Sequence, residues 1–164
     1  HVSFLDPIAV GIGAPRKLIY LARDTLFRFK PFAYILRRVN TFPLKRETGD
    51  LAAFRLALGK LSEGRAVLVF PEGTRSADGS FQEAKLGIGF LQKATGASIL
   101  PCYVKGSMDA LPRYSVMPRF RPVSVYFGEP INPEDAPSGD KKQRYAYVAN
   151  RVMEAIAELK KNAD

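Results

Sequence analysis

The opening hexapeptide His1-Val2-Ser3-Phe4-Leu5-Asp6 places an imidazole and a carboxylate with four residues between them. A carboxylate that accepts from one ring nitrogen fixes the tautomer and leaves the other nitrogen free to act as a base. A histidine at the first position also fits a solvated chain end. The second chemical stretch is Val67-Leu68-Val69-Phe70-Pro71-Glu72-Gly73-Thr74-Arg75-Ser76. Its apolar start, Val67 to Phe70, reads as a buried strand that Pro71 must end, because proline has no N–H for the ladder. Glu72 to Ser76 then falls at the carboxyl end of a strand, where open α/β sheets bind ligands. Gly73 allows backbone N–H groups to come close to a ligand, and Arg75 offers a planar fork of donors suited to phosphate or carboxylate. The same pattern also fits an ordinary strand-to-loop turn with a surface Glu–Arg pair.

The elements that must position these residues follow from periodicity. Asp6 reads as the cap of a short helix beginning at Pro7. Residues 17–22 and 41–44 read as strands. Residues 24–39 mix Phe27, Phe29, Phe32, Tyr34, Ile35 and Leu36 with Arg28, Lys30, Arg37 and Arg38. Pro31 divides them into two short helices. Such a basic, aromatic piece suits a membrane surface, or a core-packed helix with snorkelling cations. A helix is predicted over 50–63, with Asp50 as cap and Gly64 at its end. A second is predicted over 82–95, weakened by Gly87 and Gly89. The apolar run 99–104 is interrupted by Pro101, and 107–118 reads as a loop. Alternation at Val123, Val125 and Phe127 predicts a strand, and 140–161 a closing helix with Tyr145, Val148, Val152, Ile156 and Leu159 on one face. Strands alternating with helices predict an α/β sandwich with a mixed, largely parallel sheet flanked by helices, over one domain spanning 1–164.

With 164 residues, 46% apolar and 25% charged, the chain fits one globular domain. A single cysteine, Cys102, and a single histidine exclude an internal disulfide framework and a Cys/His metal site. Net charge is +9, concentrated in residues 1–46, where nine basic residues face two acidic ones. That asymmetry predicts an anionic partner: lipid phosphate, nucleic acid, an acidic carrier protein or a nucleotide cofactor. No apolar run reaches the length of a transmembrane helix.

Four short stretches occur in order: H-V-S-F-L-D at 1–6, F-P-L-K-R at 42–46, F-P-E-G-T-R-S at 70–76 and I-L-P-C at 99–102. With them the chain resembles the glycerolipid acyltransferases, in particular the 1-acyl-glycerol-3-phosphate acyltransferases, from His1 to about residue 130. The resemblance implies that His1 is the general base for the acceptor hydroxyl and that Asp6 orients it. Arg46 and Arg75 would contact the glycerol phosphate. Glu72, Gly73 and Thr74 would shape the acceptor site, and Pro101 belongs to a motif tied to acyl-donor binding. The family's asparagine before the histidine and its N-terminal membrane helices do not precede His1, so the expectation is a domain cut from a longer chain.

The chemistry agrees with the resemblance. Transfer from a thioester needs a base for the hydroxyl and donors for the oxyanion, and a thiolate leaves well without a metal or other cofactor. No Ser or Cys nucleophile with its own base is visible, which favours direct attack. The N–H groups of Gly73 and Thr74 are the oxyanion candidates. Expected partners are a lysophospholipid acceptor, acyl-CoA or acyl carrier protein, and a membrane surface, at the cytoplasmic face of a membrane in phospholipid biosynthesis. Glycerol 3-phosphate or another lysophospholipid remains open as acceptor. So does a non-catalytic lipid- or nucleic-acid-binding domain, although no groove-reading motif favours nucleic acid.

Overall fold

The computed structural model describes residues 1–163 apart from 45–48, 77, 113–114, 116 and 138. The chain separates into two units, one of residues Ala14–Val69 and one of His1–Gly13 with Phe70–Asp164.

In the first unit, three parallel strands lie in the order β2-β1-β3, with β1 at Leu18–Arg23, β2 at Thr41–Leu44 and β3 at Ala66–Val67. Tyr20 stands opposite Thr41 and Leu18 opposite Ala66. Parallel neighbours need crossovers, which helices usually supply. Here α1 belongs to the other unit; the crossovers are α2 (Lys30–Arg38), after a 3-10 turn at Asp24–Phe27, and α3 (Gly49–Ser62). Two short helical pieces do occupy 24–39, but Pro31 does not divide them. It lies in the first turn of α2, where its missing N–H costs no helical bond. The α3 helix starts one residue before Asp50 and ends as expected at Gly64, whose φ is +72°. There Arg65 N–H reaches Lys60 O at 3.0 Å and Gly64 N–H reaches Leu61 O at 2.9 Å, closing the orphan carbonyls.

The central strand is shorter than the apolar run Val67–Phe70 predicts. The ladder covers Ala66 and Val67, with Leu68 N–H making a further bond to Ile19 O at 3.0 Å. The chain leaves it before Pro71 because Phe70 is committed elsewhere. Its carbonyl accepts from Gly73 N–H at 3.0 Å, and its ring packs on His1.

The second unit contains α1 (Asp6–Gly13), α4 (Gly87–Thr95), β4 (Cys102–Lys105), α5 (Ser107–Ala110), β5 (Ser124–Phe127) and α6 (Lys141–Ala163). Strands β4 and β5 pair antiparallel, Cys102 opposite Phe127, and an Ile99–Ile131 bridge extends the pairing past buried Pro101. The strand pairing of the chain is therefore mixed. Ile88, Ile131, Ala136, Val148, Ala149 and Val152 form a core between α4, α6 and the ribbon. Val148 and Val152 lie on the α6 face that the 3.6-residue period predicts.

Helix α4 begins five residues later than 82. The Gln82 and Lys85 N–H groups go to Glu72 Oε2 at 3.0 Å and Pro71 O at 2.9 Å instead of into a helix. Gly89, which weakens the helix locally, is what lets α4 approach α6. A Cβ there would fall 2.6 Å from the Tyr145 Cα. Residues 107–118, expected as loop, contain the single turn of α5. Among the described residues no helix is long and apolar enough to cross a membrane.

Candidate active site

His1 and Asp6 meet because the chain turns back on itself before α1. Asp6 N–H reaches Ser3 O at 3.3 Å, Leu5 N–H reaches Ser3 Oγ at 3.2 Å, and Ser3 Oγ donates to Leu111 O at 2.7 Å. This hydroxyl-centred turn presents the Asp6 side chain to the residues preceding it. Asp6 thus does not cap α1 as expected. Its Oδ2 accepts from His1 Nδ1 at 2.7 Å, from Val2 N–H at 2.7 Å and from Ser3 N–H at 3.0 Å. A carboxylate only accepts, so Nδ1 carries the ring hydrogen and the Nε2 lone pair remains. None of the described residues bonds Nε2. Asp6 is buried, and its Oδ1 has no hydrogen-bond partner among the described residues.

The F-P-E-G-T-R-S stretch holds His1 from the other side. The Phe70 ring stacks on the imidazole, centroids 3.8 Å apart and planes within 14°. The His1 backbone nitrogen donates to Glu72 Oε1 at 2.9 Å, and Ser76 N–H donates to His1 O at 2.8 Å. Glu72 Oε2 is taken by Gln82 N–H, so both oxygens of this side chain, 5% exposed, serve the protein itself. Glu72 therefore joins three segments: the His1 segment, the motif loop and the lead into α4. The imidazole has its ring plane set by Phe70 and its rotation by Asp6, which is the preorganisation a base requires.

The rest of the motif loop is more open. Thr74 is exposed, and Gly73 is exposed with φ +70°. The expectation that Gly73 N–H binds an oxyanion is corrected here: that N–H already closes the turn to Phe70 O. Thr74 N–H stays the candidate. The Arg75 guanidinium carbon lies 4.0 Å from the Phe4 ring centroid. A guanidinium over an aromatic ring is held there by the attraction of its charge to the ring face. Asp78 then locks the end of the loop. Its Oδ1 accepts from Ser76 Oγ at 3.0 Å, Ser80 N–H at 3.0 Å and Ser80 Oγ at 2.6 Å, and these bonds, Ser80 first, lower its carboxyl to about 2.

The structure thus brings together His1, Asp6, Glu72, Gly73, Thr74 and Arg75. Arg46 lies outside the described residues. Pro101 is fully buried and its carbonyl accepts from Gly128 N–H at 3.0 Å, so it holds the start of the β4–β5 ribbon and presents no open surface to a ligand. The neighbouring Cys102 thiol is pushed up to about 11, first by burial and then by the Asp6 charge. It is a neutral thiol near neutral pH, unsuited to nucleophilic attack.

A model of the Acyltransferase family matches residues 1–105, a span that contains His1, Asp6, Glu72, Gly73, Thr74 and Arg75. The chain belongs to the acyltransferase family. It is 25% identical to the 1-acyl-sn-glycerol-3-phosphate acyltransferase of Bacillus subtilis (strain 168), over all of this chain and 80% of that protein. It is 26% identical to the enzyme of that name from Streptococcus pneumoniae (strain ATCC BAA-255 / R6), over 97% of this chain and 58% of the relative. The crystal structure of the 1-acyl-sn-glycerophosphate (LPA) acyltransferase PlsC from Thermotoga maritima aligns with a TM-score of 0.77 at 27% identity. That alignment covers 98% of this chain and 64% of the solved one. The chain therefore spans between 58% and 80% of these three proteins.

Four contributors to the candidate site were not singled out from sequence: Phe70 as a stacking partner, Ser76 as a backbone donor, Phe4 beneath Arg75, and Gln82. Phe70 and Ser76 bracket the motif, and Phe4 lies inside the first one, so their positions were visible. Their roles depend on convergence across some seventy residues, which spacing does not reveal.

Proposed function

We propose that this acyltransferase transfers a fatty acyl group from an acyl thioester, acyl-CoA or acyl carrier protein, to the free hydroxyl of lysophosphatidic acid, giving phosphatidic acid. The observation that carries the reading is the 2.7 Å His1–Asp6 contact on an imidazole also held by Phe70, Glu72 and Ser76. Nε2 takes the hydroxyl proton as the oxygen attacks the thioester carbonyl. The new C–O bond forms, the tetrahedral oxyanion is held by Thr74 N–H, and the C–S bond breaks. The imidazolium then returns its proton to the departing thiolate. Arg75, with Arg46, reads the acceptor phosphate. Residues 1–164 act as one catalytic domain at the cytoplasmic face of a membrane, reached through the basic, aromatic segment 24–39. The names of the three relatives support this choice of acceptor over glycerol 3-phosphate.

The test is a transfer assay over a panel of acceptors with both donor types. Lysophosphatidate is expected to be used far better than monoacylglycerol. Charge-assisted hydrogen bonds contribute roughly 1.5–3 kcal/mol each, so Arg75→Ala should narrow that preference by about one to two decades. A protein that acylates glycerol 3-phosphate or a neutral alcohol in preference would overturn the choice of acceptor.

A further inference from the structure

Three donors converge on one oxygen of Asp6, and none of the described residues bonds the other. His1 Nδ1, Val2 N–H and Ser3 N–H all reach Oδ2, whereas Oδ1 is buried without a hydrogen-bond partner. A carboxylate carries lone pairs on both oxygens, and an unanswered one is costly in a buried site. Bonds to a single oxygen also leave the carboxyl plane free to rock about it, and the imidazole that Asp6 orients would rock with it. Ser107 is in the same condition. Its side chain is 1% exposed, and its Oγ has no hydrogen-bond partner among the described residues.

The two groups lie on neighbouring segments. Strand β4 packs along α1, and the charge of Asp6 acts on the Cys102 thiol at the start of that strand. At the far end of β4, Gly106, with φ +82°, turns the chain into α5, whose first residue is Ser107. Ser107, Ala110 and Leu111 have the spacing of one helical face, and Ser107 and Ala110 are both buried. The Leu111 carbonyl accepts from Ser3 Oγ at 2.7 Å, and Ser3 N–H is one of the three donors to Asp6. Strand β4 supplies no cation to Asp6: Cys102 stays a neutral thiol near neutral pH, and Lys105 Nζ donates to Ala163 O. The oxygens of Asp6 and Ser107 do not bond each other directly, and an enclosed water takes about three hydrogen bonds from buried groups of this kind. We propose that Ser107 is a positioning residue of the His1–Asp6 pair, its hydroxyl donating to one enclosed water that donates in turn to Asp6 Oδ1. The relay fixes the carboxyl plane from the side that His1, Val2 and Ser3 do not reach.

This role rests on the His1–Asp6 base of the proposed function, and two of its readouts need no transfer. The parent is compared with Ser107→Ala and Ser107→Thr. The sequence holds one histidine, so its Nδ1 proton is followed by NMR without overlap. Exchange of that proton with water should be about tenfold faster in Ser107→Ala and near the parent rate in Ser107→Thr, whose hydroxyl restores the donor. The melting temperature of Ser107→Ala should fall. A rise overturns the proposal, because deleting an unpaired buried hydroxyl removes its desolvation penalty. A fall with parent-like Nδ1 exchange overturns it too, since the serine then supports the fold alone. Where Ser107→Thr does not fold, exchange and melting of Ser107→Ala decide. In transfer, Ser107→Ala should lower kcat about tenfold and leave KM for lysophosphatidate within about twofold. Adding it to Asp6→Asn should cost little more, because both changes act on one carboxyl; additive losses overturn the relay. A parent that transfers nothing, with Nδ1 exchange responding as expected, sinks the reaction and supports the site.

Discussion

The His1 clamp and the 24–39 segment are built from the same kinds of residue, aromatic rings beside charges, and treat them in opposite ways. At the clamp the Phe70 ring is packed on the imidazole, and the Asp6 and Glu72 side chains are almost fully buried, with five described donors between them. At α2 large apolar side chains face outward: Phe29, just before the helix, is 69% exposed, and Tyr34 and Ile35 within it 60% and 56%. Arg38 donates to Tyr34 Oη at 3.1 and 2.6 Å, which spreads cation and ring along one helical face, while among the described side chains of α2 Ala33 is the one that is deeply buried. Buried polar groups fix one geometry because leaving any of them unpaired is costly. Exposed rings and cations fix none, but they offer area and charge to whatever surface they meet. One region holds an imidazole in a single orientation, and the other leaves rings and cations open to solvent.

The largest effect separating the two should come from the clamp itself. His1→Ala is expected to lower kcat by ~10²–10⁴-fold with little change in thermal stability. Near-parent turnover in folded protein would remove the imidazole from the chemistry. Next comes Glu72→Gln, which keeps the size but sets an NH₂ against one of two N–H donors. Its kcat should fall by about tenfold while KM for lysophosphatidate stays close to that of the parent, since Glu72 holds His1 and not the acceptor. A change confined to KM would make it a substrate ligand instead.

The outward-facing region should respond only when a lipid surface is present. The Phe29→Ser, Tyr34→Ser double variant is expected to bind anionic vesicles several-fold more weakly, with turnover on short-chain monomeric acceptor unchanged. Equal loss on both substrates would show that these rings support the fold.

The smallest effect is expected in the Asp78 loop. Because its folded carboxyl is lowered to about 2 from an ordinary value near 3.8, the loop bonds contribute fully above pH ~4 and are lost as pH falls through about 2. The Ser76 and Ser80 resonances should shift over that window, and a midpoint near 4 would mean that the loop bonds do not hold the charge.

Much of this was legible in sequence because the chemistry is concentrated in short strings. The His1–Asp6 pair, the Glu72–Arg75 loop and the alternation of strands and helices all follow from local residue types. What was not legible depends on long-range competition for the same backbone. The strand ends at Val67 because Phe70 is needed against His1, and α4 starts late because Gln82 and Lys85 give their N–H groups to the motif loop. Gly73 reads locally as a backbone permitting ligand approach. In the structure its N–H is already used, and its missing side chain is what admits Lys85. Gly89 likewise looks like a weak point in a helix until Tyr145 is found against it.

The central claim is that His1 activates the acceptor for direct attack and that no acyl-enzyme forms. Rapid mixing with acyl-CoA in the absence of acceptor, followed by intact-protein mass and free-thiol measurement, tests it most directly. The account predicts no burst of coenzyme A and no mass increase, with both coenzyme A and phosphatidate appearing together once lysophosphatidate is added. A stoichiometric burst with an acylated protein, on Cys102 or any other side chain, would contradict it.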